Sequence, residues 1–216
     1  MLRSATVVFA ALLFTACASV EPPPAEPAAA PWPEPDSWCA SDSVLLDAQF
    51  EAGNLGLCTV EADGSFTLNL VPEDPPPINP SAWFAFRASG RPGDRVAVRL
   101  ESDRGYARYW PKTSRDGRHW TPVPPEQVRK AGEKSKWMEF HFELDGAFRW
   151  VAGQEIVDTW DYQHRIGHLQ EPDWAEARLL GHSVEHRPLY LVETTDRPEF
   201  VLLIGRQHPP EVTGAL

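Results

Sequence analysis

Apolar and polar residues alternate with a period of two through the middle of the chain, in residues 39–157. The clearest stretch is 138–144, M-E-F-H-F-E-L, in which every second residue is apolar. A β-strand with one face in a core and the other in solvent has this period. The same alternation, or an aromatic run, predicts further strands at 43–50, 66–70, 83–87, 96–100 and 148–150.

Short turn sequences separate these stretches. Gly53-Asn54 predicts a turn, and Asp63-Gly64 and Asp145-Gly146 predict the turns of β-hairpins. No helical pattern of any length interrupts the alternation. Residues 39–157 are therefore predicted to be mainly β, in the form of an antiparallel β-sandwich.

The pattern then changes, and residues 158–216 are predicted to open an α/β domain. The sequence E-P-D-W-A-E-A-R-L-L-G at 171–181 begins with proline and acids and ends in glycine, which predicts a capped helix over 174–181. Residues 187–194 predict a strand. Residues 199–205 predict the next one, and its apolar run V-L-L-I is typical of a strand covered on both faces.

The amino terminus is predicted to be a targeting segment, residues 1–17. Arg3 supplies a positive charge, and the apolar stretch 5–14 is too short to span a bilayer. The sequence F-T-A-C resembles a bacterial lipobox, which implies that Cys17 is lipidated and becomes the first residue of the mature protein. The alternative is an ordinary secretory signal cleaved beside Cys17. Both interpretations export the chain.

The segment that follows, residues 18–38, is rich in proline and acids and poor in branched apolar residues. This composition predicts an extended tether that holds the folded part away from a membrane. Ala18 after the lipobox cysteine, where aspartate would favour retention at the inner membrane, points to the outer membrane of a bacterial envelope, facing the periplasm.

The net charge and the cysteines of the chain bear on its partners and on its disulfide bonding. The 216 residues carry a formal net charge of −11, so we expect no binding to the phosphate backbone of nucleic acid. Cys39 and Cys58 lie on either side of the first predicted strand and its turn. In an oxidising compartment they either pair as a disulfide or remain two separate buried thiols.

Two candidate metal ligands, His208 and Glu211, lie in the sequence R-Q-H-P-P-E at 206–211, directly after the apolar strand. Pro209 disfavours a helical His208, whereas Pro210 can open a helix at its first turn. His208 is then at the carboxyl end of a strand and Glu211 is one step into a helix, where ligand sites form in open α/β sheets. Imidazole and carboxylate are good zinc ligands, and a site of two His and one Glu leaves a position for water. The alternative is a solvated loop.

The His-x-x-Glu spacing resembles the zinc motif of the zinc metallocarboxypeptidases, in the branch similar to the cytosolic carboxypeptidases. The usual form there is His-Pro-Gly-Glu, so Pro210 is a departure. The sandwich segment is similar to the amino-terminal domain of the same branch. The matching sequences are G-N-L at 53–55, W-F-A-F-R at 83–87, Y-W-P at 109–111, and Ser114 and Gly117 leading to Trp120.

A further segment, S-V-E-H-R-P-L at 183–189, resembles Ser-x-Glu-Gly-Arg-Pro-Leu of this family. His186 stands where the family has glycine. The segment is expected to have a structural role, so this replacement concerns the local turn geometry rather than catalysis.

The resemblance implies a zinc enzyme that removes carboxy-terminal residues from peptides. In the family, zinc activates water, a glutamate moves the proton and an arginine pairs with the substrate carboxylate. Only His208 and Glu211 match here, and the third ligand, the glutamate and the arginine lie far downstream in the family. The chain is therefore expected to be an amino-terminal fragment, inactive alone, with peptide as substrate and the membrane as partner through its lipid anchor.

Two other functions stay open on the sequence. The chain could be an exported β-sandwich lipoprotein that acts as a binding or scaffold module. It could also belong to a related zinc amidohydrolase such as a deacylase, although the sandwich upstream argues against this. Five tryptophans could form a platform for sugars, but strand aromatics are predicted to be core or domain interface: Trp83, Trp110, Trp120, Trp137 and Trp150.

Two histidine pairs have a spacing of four, His164 with His168 and His182 with His186. On a helix such pairs share a face and can bind metal. Neither pair has the His-Glu-x-x-His form. We predict solvated or locally bonded histidines in both.

Overall fold

The structure is a computed structural model, and it describes residues 33–72, 83–103, 105–169, 174–194 and 212. Its strands and its one helix of more than a turn follow in chain order: β1 Trp38–Ala40, β2 Leu45–Asp47, β3 Leu57–Val60, β4 Phe66–Asn69, β5 Ala85–Ser89, β6 Arg95–Glu101, β7 Lys112–Ser114, β8 Trp120–Pro122, β9 Val128–Arg129, β10 Trp137–Glu143, β11 Phe148–Ala152, α1 Thr159–Leu169, β12 Ala175–His182 and β13 Pro188–Thr194.

Eleven strands form two sheets. The first has the order β1-β2-β5-β11-β7-β8 and the second the order β3-β4-β6-β10-β9. The predicted β-sandwich is confirmed. One pair departs from the antiparallel expectation, because β4 runs parallel to β6, with Phe66 opposite Val98.

The alternating apolar residues of both sheets form one buried cluster. In β10 the side chains of Met138, Phe140 and Phe142 are buried, whereas the residues between them are half-buried or exposed. Phe84, which leads into β5 of the first sheet, stacks on Phe140 of the second with 6.2 Å between ring centroids. The period of two therefore marks the face of each strand that enters the core.

The predicted hairpin at Asp145-Gly146 is wrong. β10 pairs with β6 and β9 in the second sheet, while β11 pairs with β5 and β7 in the first. The segment between β10 and β11 thus crosses from one sheet to the other. Alternation shows that each strand has one face in the core, but it does not show which strand lies beside it.

The other predicted strands differ mainly in their ends. The strand expected at 43–50 is reduced to β2, and the one expected at 83–87 starts and ends two residues later as β5. The Asp63-Gly64 turn joins β3 to β4 in a hairpin, as expected. The strand predicted at 187–194 is β13, and the one predicted at 199–205 lies outside the described residues.

A disulfide joins Cys39 to Cys58. Cys39 lies in β1 and Cys58 in β3, and these are edge strands of the two different sheets. The bond therefore closes the sandwich along one edge by linking one sheet to the other.

The helix predicted at 174–181 is wrong, because Ala175–His182 form β12, which pairs with β13 on either side of an irregularity between Leu179 and Gly181. Alanine, glutamate, arginine and leucine favour a helix locally. The turn after His182 returns the chain for cross-strand pairing, and such tertiary pairing overrides local propensity. No helix among the described residues is long and apolar enough to cross a membrane.

The helix of this region is α1, fifteen residues earlier than predicted. Asp158 accepts a hydrogen bond from the backbone N–H of Asp161 at 2.9 Å, and Asp161 accepts one from the backbone N–H of Asp158 at 3.1 Å. This reciprocal pair is a capping box, here with aspartate in both positions. The spacing Asp-x-x-Asp was the sequence signal that could have located the helix start.

Candidate functional site

The residues predicted to carry chemistry lie outside the described part of the chain. These are the zinc ligands His208 and Glu211 and the lipidation site Cys17, and their roles stay predictions. Val212, directly after Glu211, is described and is buried. Among the described residues no group of three or more His, Cys, Asp or Glu side chains is placed to hold a metal ion.

The described residues do contain the junction between the sandwich and the segment that leads to His208. Glu51 lies in the loop after β2. Its carboxylate accepts a hydrogen bond from the backbone N–H of Thr159 at 3.0 Å and another from the hydroxyl of Thr159. The same carboxylate lies 3.8 Å from Nη1 of Arg187, in the turn between β12 and β13. One negative charge therefore meets both the amino terminus of α1, where the helix dipole favours it, and the turn of the following hairpin.

A second contact ties α1 to the sandwich. The guanidinium of Arg118, in the loop between β7 and β8, lies over the ring of Trp160 at 4.4 Å from its centroid. A cation over an aromatic face is attracted by the ring quadrupole. The start of α1 is thus held by Glu51 and by Arg118, which belong to two different loops of the sandwich.

The β7–β8 loop that presents Arg118 has its own hydrogen-bond network. Asp116 accepts the backbone N–H groups of His119 at 2.8 Å and Arg118 at 2.9 Å. The hydroxyl oxygen of Ser114 accepts the N–H of Gly117 at 2.9 Å. The carboxylate of Asp116 is hydrogen-bonded by the backbone N–H of His119 and also by its imidazole, and these bonds hold the pKa of Asp116 well below its usual range. Gly117 has a φ of +76°, which favours glycine.

The turn between β12 and β13 contains the residue that departs from the family pattern. The carbonyl of Ser183 accepts the N–H of His186 at 2.9 Å, and the hydroxyl of Ser183 accepts the N–H of Arg187 at 3.1 Å. His186 has a φ of +62°, in the left-handed region. The turn therefore keeps a conformation that glycine adopts without steric cost, although histidine occupies the position.

The β12–β13 hairpin has apolar residues on both of its faces. Leu189 and Tyr190 are neighbours in β13, so their side chains point to opposite sides of the sheet, and they are 49% and 40% exposed. Leu179 and Trp174 are also exposed. A two-stranded sheet is marginally stable alone, and apolar residues on both faces are typical of strands that are covered on both sides.

The outer face of the second sheet carries an open groove of about 670 Å³ that is lined by charged side chains, among them Arg99, Arg129 and Glu139. The guanidinium groups of Arg99 and Arg129 lie over the ring of Trp137 at 5.0 and 5.6 Å from its centroid, and both are hydrogen-bonded to Glu139. Burial raises the pKa of Glu139, but the bonds from Arg129 and Arg99 outweigh it and lower the pKa. The ring of Trp137 is covered by these cations, which argues against a sugar platform.

The five tryptophans were predicted to be core or domain interface. The first alternative is wrong for the space between the sheets, and the second stays a prediction. All five are half-buried and none belongs to the buried cluster. Trp150 alternates with the buried Val151 of β11, so its side chain lies on the outer face of the first sheet. There its ring packs edge-on against Phe50 and lies under Arg87.

The two histidine pairs have different surroundings despite their equal spacing. His164 and His168 lie on α1, and their Nε2 atoms are 3.1 Å apart, so this pair is locally bonded as expected. His182 ends β12 and His186 lies in the following turn. Only the first pair shares a helix face.

The fold is thus a two-sheet β-sandwich that leads, through a capped helix, into a hairpin with uncovered apolar faces. Residues 46–152 match the sequence model of the cytosolic carboxypeptidase N-terminal domain. This segment is an amino-terminal domain of the metallocarboxypeptidase family.

Solved structures agree with this assignment at the level of the fold. A metallo-carboxypeptidase from Burkholderia cenocepacia is 21% identical with a TM-score of 0.57, and the match covers 69% of this chain and 39% of that one. A metallo-carboxypeptidase from Pseudomonas aeruginosa, solved with (2-guanidinoethylmercapto)succinic acid, is 19% identical with a TM-score of 0.54, and the match covers 71% and 41%. The chain thus spans about two fifths of these relatives. None of the curated proteins matched.

Proposed function

We propose that this chain is the amino-terminal part of a zinc-dependent metallocarboxypeptidase, which hydrolyses carboxy-terminal residues from peptides. The observation that carries the proposal is the hairpin after the sandwich, with Leu189 and Tyr190 exposed on opposite faces. A sheet with this pattern needs further strands beside it and helices on both faces. An α/β catalytic domain that starts at α1 would supply them.

In this proposal His208 and Glu211 hold the zinc ion, together with a histidine supplied further along the enzyme. A nitrogen and an oxygen donor suit zinc, and the three-ligand set leaves one position for a bound water whose pKa the metal lowers. The sandwich has a supporting role. It fixes the beginning of the catalytic domain through the contacts that Glu51 and Arg118 make with α1.

We further propose that the protein is exported and anchored by a lipid on Cys17 to the outer membrane, facing the periplasm, with residues 18–38 as a tether. The disulfide between Cys39 and Cys58 supports this placement, because such bonds persist in oxidising compartments and are rare in the cytosol.

The test is the size and activity of the native protein. Antibodies against the sandwich should detect, in the membrane fraction of the source cell, a species much larger than the 24.2 kDa of this chain. That species, once purified, should release carboxy-terminal amino acids from peptides and should stop doing so when a chelator is added. A species of 24.2 kDa or less would overturn the proposal in favour of a tethered binding module.

Matched variants of the native protein test the metal ligands. H208Q and E211Q should each lower zinc content and activity together, while H182Q, which changes a histidine of β12, should leave both unchanged. If zinc content and activity survive in H208Q, the assignment of the ligands is wrong. If the protein releases acyl groups from amines but leaves peptide termini intact, the related deacylase function replaces the carboxypeptidase.

A further inference from the structure

The strongest unassigned arrangement of chemical groups lies on α1. His164 and His168 are four residues apart, so their side chains lie on one face of the helix. Their Nε2 atoms are 3.1 Å apart, and the rings meet edge to face with 4.6 Å between centroids. Both side chains are exposed, so an ion from solvent can reach them.

The separation of the two nitrogens is one that a bound metal ion requires. Imidazole nitrogen binds zinc at about 2.0–2.1 Å, so two nitrogens 3.1 Å apart subtend roughly 98° at an ion bound to both. This angle lies between the roughly 90° of octahedral and roughly 109° of tetrahedral coordination. In the metal-free protein one Nε2 donates a hydrogen bond to the other. When the ion binds, that proton moves to Nδ1 of the same ring, through solvent.

One of the two rings is already held in place. The ring of Trp160 stacks on that of His164 with 5.1 Å between centroids and 7° between planes, and Trp160 is in turn covered by Arg118 at 4.4 Å. Because the start of α1 is also tied to Glu51, little ordering is left to take place when an ion binds. Such preorganisation lowers the entropic cost of binding.

We propose that His164 and His168 form a two-ligand site for a divalent late transition-metal ion: Cu²⁺, Ni²⁺ or Zn²⁺. Imidazole suits these ions, and the general order of affinity predicts the tightest binding for Cu²⁺. Among the described residues no third His, Cys, Asp or Glu joins the pair, and the proposed site rests on these two imidazoles. The site uses residues other than the predicted zinc ligands His208 and Glu211. By linking successive turns of α1, the ion stabilises the helix that follows the sandwich.

The first experiment is a titration of the full chain with Cu²⁺ and with Ni²⁺, followed by calorimetry and, for Cu²⁺, by electron paramagnetic resonance. We expect H164Q and H168Q each to weaken binding by more than about tenfold, since even an outer-shell partner of a metal ligand is worth about 10–100-fold. The resonance spectrum should show two coordinated nitrogens in the parent and fewer in each variant.

A matched control keeps the composition of the helix. Q163H combined with H164Q exchanges two neighbouring residues, so the number of histidines is unchanged, but the new pair is five apart and no longer shares a face. This double variant should bind as weakly as H164Q. H182Q and H186Q, which remove the pair of equal spacing that is not on a helix, should bind as tightly as the parent.

Four results would overturn the proposal. One is a double variant Q163H/H164Q that binds as tightly as the parent, since adjacency on the helix would then be irrelevant. Another is loss of binding in H182Q or H186Q. A third is loss of binding in H208Q with full binding in H164Q, which would assign the ion to the proposed carboxypeptidase site and leave that proposal standing. Binding that fails in H208Q and in H164Q alike would contradict the independence of the two sites.

Discussion

The carboxylate of Glu51 caps a helix that begins 108 residues later in the chain, through the backbone N–H and the hydroxyl of Thr159. Glu51 lies in a loop of the sandwich, and Thr159 is the first residue of α1. Arg187, in the turn of the following hairpin, lies 3.8 Å from the same carboxylate. The sandwich thus sets where the next part of the protein starts, which is a positioning role.

The E51Q variant tests this role. Glutamine keeps the shape but loses the charge that favours the amino terminus of α1, so we expect the helix to fray and to lose about 1 kcal/mol of local stability. Hydrogen exchange of residues 159–169, followed by mass spectrometry, should become faster while exchange in β6 and β10 is unchanged.

The control for this prediction is E133Q, at an exposed glutamate in the loop between β9 and β10. It should leave exchange in α1 at the level of the parent protein. Equal exchange of α1 in E51Q and in the parent would show that the capping bond does not hold the helix.

Glycine at position 186 is predicted to stabilise the turn between β12 and β13. His186 has a φ of +62°, which costs an ordinary side chain about 1–2 kcal/mol. Glycine removes that cost but loses about 0.5–1 kcal/mol of backbone entropy on folding. H186G should therefore gain about 0.5–1 kcal/mol, measured as slower hydrogen exchange across residues 175–194.

H182G is the matched control, with the opposite sign. His182 is a strand residue paired with Pro188, so glycine there has only the entropic cost and should speed exchange in the hairpin. If both variants shift exchange in the same direction, backbone strain at His186 is not the cause.

Acid should weaken the β7–β8 loop through Asp116. Its pKa is lowered in the folded state by hydrogen bonds from His119 and Arg118. A group with a lowered pKa contributes stability above its unfolded value, about 3.9 for aspartate, and loses it as the pH falls towards the folded value. D116N should therefore melt below the parent at pH 7, and the difference in Tm should shrink as the pH falls below about 4.

R118A serves as the control for Asp116, because it keeps the backbone N–H that Asp116 accepts and removes only the side chain. It should retain the acid dependence of the parent. Thermal melts of the parent, D116N and R118A from neutral to acid pH make the comparison, and identical curves for D116N and the parent at pH 7 would refute the prediction.

The disulfide should contribute a large share of the stability of the sandwich. Cys39 and Cys58 are 19 residues apart, and closing a loop of this size removes about 3 kcal/mol of entropy from the unfolded chain. Urea unfolding should show a loss of about this size when the bond is reduced.

The double variant C39S/C58S should unfold like the reduced parent and should not respond to the reductant. If labelling of the unreduced, unfolded chain finds both thiols of Cys39 and Cys58 free, the pair is not bonded in the protein.

Local patterns in the sequence were enough to predict most strands of the sandwich. In β6 and β10, alternation alone gives the ends to within a residue, because a strand with one buried face needs that period whatever its neighbour is. Resemblance to a family went further, and the match of residues 46–152 bears out the assignment of the sandwich.

Helix and strand after the sandwich were predicted less well. Asp158 and Asp161 form a capping box that marks the start of α1. The helix itself is short and polar and has no strong apolar stripe, so the pattern of apolar residues does not reveal it. Residues 174–181 have strong helix formers and are nevertheless a strand. Their conformation depends on pairing with β13, an interaction that no local window contains.

The sequence by itself thus determined which residues face a core, the class of fold and the candidate zinc ligands His208 and Glu211. Only the tertiary structure decided that β10 and β11 belong to different sheets and that Glu51 meets Thr159. It also separated His164 and His168 from the equally spaced His182 and His186. The reason is physical: periodicity and propensity act within a few residues, whereas sheet partners and side-chain contacts are fixed by segments far apart in the chain.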